Sequence, residues 1–262
     1  MGDQRPLRIA VIAALLTLVA TGCGDKTNPR FCVVAEGSGS TRDADIRNAY
    51  LTAFGQDVTW FSDQPGDQPM CLILATGDPT LNPIAMQPIH AADPHSPDAD
   101  GEVDGNVATA RAGFAQVLGY ASDKQHTPLA EALFALAQRA ELKAGDTVAV
   151  YSDMRQFSQF VEIPAITRLN NPPAQSAAID GALDGLAAAH LLPDGENGAP
   201  SLQGIRIVAP VPDVSRPSAP EDPRLPQARA AAAHEFWQRW AARVGADLRW
   251  AVTADGGRRA GH

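Results

Sequence analysis

The chain has 262 residues, 45% of them hydrophobic and 19% charged, enough for one sizeable buried core. Its formal net charge is −9, and losing residues 1–22, which carry Asp3, Arg5 and Arg8, would leave −10. A surface of that sign repels nucleic acid and anionic headgroups, and no basic cluster offsets it, which argues against nucleic acid as a partner.

Arg5 and Arg8 precede an apolar run over 9–20 interrupted only by Thr17. As a helix this run would be roughly 18 Å long against about 30 Å for a bilayer core, so it reads as a cleaved leader over 1–22 and not as a membrane span. The ending Ala20-Thr21-Gly22-Cys23 resembles a bacterial lipobox, with Ala20 where leucine is usual. That resemblance implies lipid on Cys23, an extracytoplasmic protein of the cell envelope, and membrane contact through the lipid alone. Residues 23–30 then form the anchor and a polar linker. With Cys23 so assigned, Cys32 and Cys71 are left, either disulfide-bonded or two buried thiols.

The apolar run 31–35 predicts a buried strand entering the tight loop Glu36-Gly37-Ser38-Gly39-Ser40. A helix is expected over 41–54, with Ala44, Ile46, Ala49, Tyr50, Ala53 and Phe54 on its apolar face. Residues 70–75 predict a second buried strand, and 83–91 an edge strand because Pro83 and Pro88 cannot donate to a ladder. The Asp-, Pro- and Gly-rich stretch 92–106 reads as an exposed loop. Helices are expected over 107–120 and 128–142, the second starting at Thr127-Pro128, where threonine can cap and proline suits the first turn.

Strand 147–151 follows and ends at Ser152-Asp153-Met154. An alanine-rich helix over 174–190, a strand over 205–211, a long helix over 226–244 and a last strand over 248–253 complete the pattern. Phe236, Trp237, Trp240 and Val244 form the packing face of the long helix, and 255–262 reads as a tail. Strands that are apolar throughout and alternate with helices predict an α/β fold: three Rossmann-like layers around a mainly parallel sheet. Ligands in such folds gather at the carboxyl ends of the strands.

Those ends carry hard oxygen donors: Glu36, Ser38 and Ser40 after the first strand, Thr127 at a helix start, and Asp153 after a later strand. Such a set suits Mg²⁺ or Mn²⁺ better than zinc or copper. The order Glu36-Gly37-Ser38-Gly39-Ser40, Thr127 in Thr-Pro-Leu-Ala-Glu-Ala-Leu, and Asp153 in Tyr-Ser-Asp-Met is similar to the von Willebrand factor A (vWA) domain family. The family's metal-ion-dependent adhesion site has Asp-x-Ser-x-Ser, a later threonine and a later aspartate. Here the motif is degenerate, because Glu36 replaces the first aspartate and Met154 stands where many members have glycine.

The resemblance covers about residues 31–254. It implies a vWA-like domain and a site for Mg²⁺ or Mn²⁺ made of Glu36, Ser38, Ser40, Thr127 and Asp153. Ser38, Ser40 and Thr127 would ligate directly, with Glu36 and Asp153 behind waters. It also implies that Cys32 and Cys71 lie on neighbouring strands. The function expected is therefore a protein-binding module and not an enzyme. The alternative is an envelope hydrolase using Ser38 or a metal-activated water, with His126 as the one histidine placed to serve as a base.

Overall fold

The computed structural model describes residues 29–36, 44–62, 66–93, 95–121, 126–169, 171–210 and 225–251. In chain order these form β1 (Phe31–Glu36), α1 (Ala44–Ser62), β2 (Gln68–Ala75), β3 (Ala85–Ile89), α2 (Ala99–Ala121) and α3 (Leu129–Arg139). They continue as β4 (Thr147–Tyr151), α4 (Ile163–Ile166), α5 (Pro172–Ala188), β5 (Arg206–Pro210), α6 (Leu225–Val244) and β6 (Asp247–Ala251). The expected leader, Cys23 and the tail lie outside the described residues. Among the described residues, no helix is long and apolar enough to cross a membrane.

The strands form one sheet of order β3-β2-β1-β4-β5-β6. Every neighbouring pair is parallel except β2 with β3, which is antiparallel. Pro88 sits on that edge strand opposite Pro69, where a missing N–H does least harm. The fold is thus α/β with a mainly parallel Rossmann-like sheet, and its order reverses between β1 and β4.

Side-chain alternation along β1 divides the core in two. Phe31, Val33 and Ala35 face α1 and α2, packing with Phe54, Val58, Phe114 and Leu118. Cys32 and Val34 face the other layer, with Leu133 and Leu136 of α3, Ile179 of α5 and Phe236, Trp237 and Trp240 of α6. Because both faces are covered, all six residues of β1 are buried, Glu36 included. Cys32 and Cys71 are register partners on β1 and β2 and are joined as a disulfide.

Three helix ends depart most from the sequence expectation. Helix α1 runs on through Gly55 to Ser62, and its deep packing lies in that second half. Gly55 lies against α2, where an added Cβ would stand 3.0 Å from Cδ of the Arg111 side chain. Helix α2 begins at Ala99, inside the stretch expected to be a loop. Asp100 and Glu102 in its first turn suit the positive end of the helix dipole. The Asp93 backbone N–H, and then the Ser96 hydroxyl, hold the Glu102 carboxyl below the usual carboxylate range. Helix α3 stops at Arg139, three residues short of the expected end.

Candidate functional site

In a doubly wound sheet the crevice forms where strand order reverses, outside the carboxyl ends of the strands. Here that point lies between β1 and β4. Glu36 is the last residue of β1, and Asp153 follows β4 by two residues. Thr127 joins them through a backbone pair, its N–H donating to the carbonyl of Phe157 and its carbonyl accepting from the Phe157 N–H, both at 3.0 Å. Three segments far apart in sequence thus meet at one strand end.

Glu36 is the centre of the arrangement and is only 1% exposed. The Ser152 hydroxyl donates to Oε2 at 2.7 Å, and the Asp153 backbone N–H donates to the same oxygen at 3.1 Å. The Thr127 hydroxyl donates to Oε1 at 3.5 Å. Glutamate is longer than aspartate by one methylene, about 1.5 Å, which helps it bridge from β1 to the loop after β4. The two shorter bonds, both to Oε2, do most to offset the cost of burying this side chain, and the 3.5 Å bond to Oε1 does least.

Asp153 is turned toward its own loop. The Arg155 backbone N–H donates to Oδ1 at 2.9 Å, and Arg155 Nε lies 3.6 Å from Oδ2. Met154 between them has a φ of +62°, in the left-handed region that favours glycine. Glycine would take this backbone conformation without the strain that a side chain adds. Met154 holds the conformation through a buried side chain, an N–H bonded to Ser152 Oγ at 3.0 Å, and a carbonyl that accepts from Trp237 Nε1 at 3.0 Å. Trp237 is therefore more than core packing, because it ties α6 to the turn that carries Asp153.

Thr127 does not cap α3. The N-cap position is Pro128, which has no side-chain bond, and Gln156 supplies the cap by accepting from the Ala130 N–H at 2.9 Å. Gln156 also donates to Glu131 Oε2 at 2.7 Å, so the loop after β4 is fastened to the start of α3. This leaves the Thr127 hydroxyl for Glu36. His126 is exposed, and its ring stacks on Phe157 with centroids 5.0 Å apart.

Ser38 and Ser40 lie outside the described residues. Sequence reasoning passed over Ser152, Arg155 and Gln156, although all three sit within three residues of Asp153. A signal was present in the polar run Ser152-Asp153 directly after an apolar strand.

The donor chemistry fits a hard cation, since Glu36, Thr127 and Asp153 present oxygen alone. Among the described residues, no group of three or more His, Cys, Asp and Glu side chains could hold a metal.

No family model matches the chain, and no curated protein matches it. Among solved structures it is similar to an aerotolerance-related membrane protein from Bacteroides fragilis, at 12% identity over 87% of this chain and 92% of that one, with a TM-score of 0.38. So loose a likeness carries no inference about function, and the α/β description rests on the strand order and layers given above.

Proposed function

We propose that this chain is a vWA-like protein-binding module of the cell envelope, anchored through Cys23, whose strand-end face takes an acidic group of a protein partner with the help of Mg²⁺ or Mn²⁺. The observation that carries this reading is the meeting of Glu36, Thr127 and Asp153, from three separate segments, at the point where strand order reverses. Ser38, Ser40 and Thr127 would hold the ion, with Glu36 and Asp153 behind them. The ion would supply a positive charge able to coordinate the partner's carboxylate.

This chain's own residues contribute position and charge. Ser152 and the Asp153 N–H keep the Glu36 carboxylate aimed at Thr127, and the backbone pair with Phe157 holds Thr127 in reach. Trp237 fixes the carbonyl of Met154, and with it the turn. The role is binding and not catalysis.

A ligand that binds only the native state stabilises it, by about 2.7 kcal/mol at a hundred times its dissociation constant. The full chain in detergent is therefore expected to melt at higher temperature in Mg²⁺ or Mn²⁺ than in chelator, and Asp153→Ala is expected to lose the difference. No difference in the parent chain, or an undiminished one in Asp153→Ala, would sink the proposal.

A further inference from the structure

We infer that the Cys32–Cys71 bond is made by a thiol oxidant while the chain is still incompletely folded, before α3 docks on the sheet, and that the folded protein neither gains nor loses it by thiol exchange. The inference stands apart from the metal-assisted reading above. It names a partner by its chemistry, a disulfide-bearing oxidant that meets this chain as an open substrate.

The position of the two sulfurs carries it. Cys32 and Cys71 are register partners on adjacent central strands, with Cα atoms 4.5 Å apart, and the two residues are 0% and 1% exposed. Both belong to the core layer that holds Val34 and Ile73 of the same strands and Leu129, Leu133 and Leu136 of α3. Helix α3 packs on β1 and on β2, and all its residues from Leu129 to Ala137 are buried. The bond thus lies on the sheet face that α3 covers.

Thiol exchange needs an access that this packing denies. A thiolate has to reach one sulfur of the bond, and a close-packed apolar core admits neither its charge nor its volume. The barrier works in both directions. In the folded chain a reductant does not reach the bond, and an oxidant would not reach two thiols standing in its place.

The order of the chain supplies the opening. The elements that bring the cysteines together, β1, α1 and β2, all precede α3 in sequence. A chain folding from its amino end can pair these strands while the face that carries both sulfurs is still bare. There one cysteine thiolate attacks the oxidant's disulfide, forming a mixed disulfide and releasing one oxidant thiolate. The second cysteine thiolate attacks the chain's own sulfur in that mixed disulfide and releases the other. The chain gives up two electrons and two protons, and the oxidant leaves as a dithiol. Such a step requires an oxidising compartment, which is where the leader expected over 1–22 would send the chain.

The test uses the full chain in detergent, with dithiothreitol and glutathione disulfide as probes. Alkylation of Cys32 and Cys71 is read by peptide mass, which keeps Cys23 apart. Without denaturant, dithiothreitol is expected to reduce the bond at least roughly a hundredfold more slowly than in denaturant. A reduced chain refolded before glutathione disulfide is added should be oxidised more slowly by a similar factor, and a reduced chain that does not refold supports the same order of events. Leu133→Ala loosens the cover, and its reduction without denaturant is expected to be about thirtyfold faster or more, the effect of a lost buried leucine on an opening equilibrium. Leu136→Val makes a smaller hole and serves where Leu133→Ala does not fold, with a gain of several-fold. Leu118→Ala, in α2 on the opposite face, is the control and is expected to change the rate by less than about threefold.

Reduction of the parent chain as fast without denaturant as with it overturns the inference. Rapid oxidation of the refolded reduced chain does so too. An equal gain from Leu133→Ala and Leu118→Ala overturns the part given to α3, since the sulfurs would then be reached only through unfolding of the whole domain.

Discussion

Strands β1 and β4 carry a buried carboxylate at each end of their shared ladder, and the two carboxylates have different company. At the amino end, Asp146 is 5% exposed and accepts two main-chain bonds, from Arg30 N at 2.7 Å and Lys143 N at 2.8 Å. The guanidinium of Arg30 donates to the carbonyl of Ala140 nearby. At the carboxyl end, Glu36 accepts from the hydroxyls of Ser152 and Thr127 as well as from one backbone N–H. Main-chain donors cannot turn away without unfolding the turn, whereas a hydroxyl can rotate and offer its lone pairs to something else. Burial of an acid alone thus does not mark a site.

Breaking the amino end should cost stability and leave the cation response intact. The largest effect is expected from the disulfide, which joins Cys32 and Cys71 near that end across a separation of 39 residues. By the chain-entropy relation its removal in the double variant Cys32→Ala/Cys71→Ala costs about 4 kcal/mol, read as a lower denaturant midpoint. Asp146→Ala comes next, at about 3 kcal/mol, since it leaves the N–H groups of Arg30 and Lys143 without their charged acceptor. In both variants the shift between chelator and Mg²⁺ should match that of the parent chain. A lost shift in Asp146→Ala, with the fold retained, would show that the two ends are not independent.

The same contrast explains what was legible in the sequence. The central strands announced themselves because burial on both faces leaves no room for polar residues, so 31–35, 70–75 and 147–151 read as continuous apolar runs. Helix ends were harder. Helix α1 continues past Gly55 into the half that packs deepest, and α2 starts among acids and glycines that by composition resemble a loop. The short α4 was missed, since four residues carry no periodicity.

At the site, Glu36, Thr127 and Asp153 stood out because each ends or begins an element. Ser152 and Gln156 did not, because their roles depend on how the loop after β4 bends back over Thr127. Arg155 reads as one more surface cation until the turn at Met154 brings it onto Asp153. Sequence spacing shows which elements meet, and the bend of a connecting loop decides which side chains touch.

The smallest effect on stability, and the sharpest contrast with Asp146, is expected from Thr127→Val. Valine keeps the β-branched shape and replaces the hydroxyl with a methyl group. The position itself is held by main chain, through the paired bonds with Phe157 at 3.0 Å, so the residue should stay where it is. The bond lost is the 3.5 Å contact with Glu36 Oε1, at the long limit for a hydrogen bond, while Ser152 and the Asp153 N–H continue to hold Oε2. Stability should therefore fall by less than about 1 kcal/mol. The cation response should nevertheless disappear, because the variant removes the one described hydroxyl expected to ligate the ion directly. Asp146→Ala and Thr127→Val then form opposite pairs, one losing stability and keeping the response, the other keeping stability and losing it. If Thr127→Val keeps both, its hydroxyl serves only to satisfy Glu36, and the carboxyl end is as purely structural as the amino end.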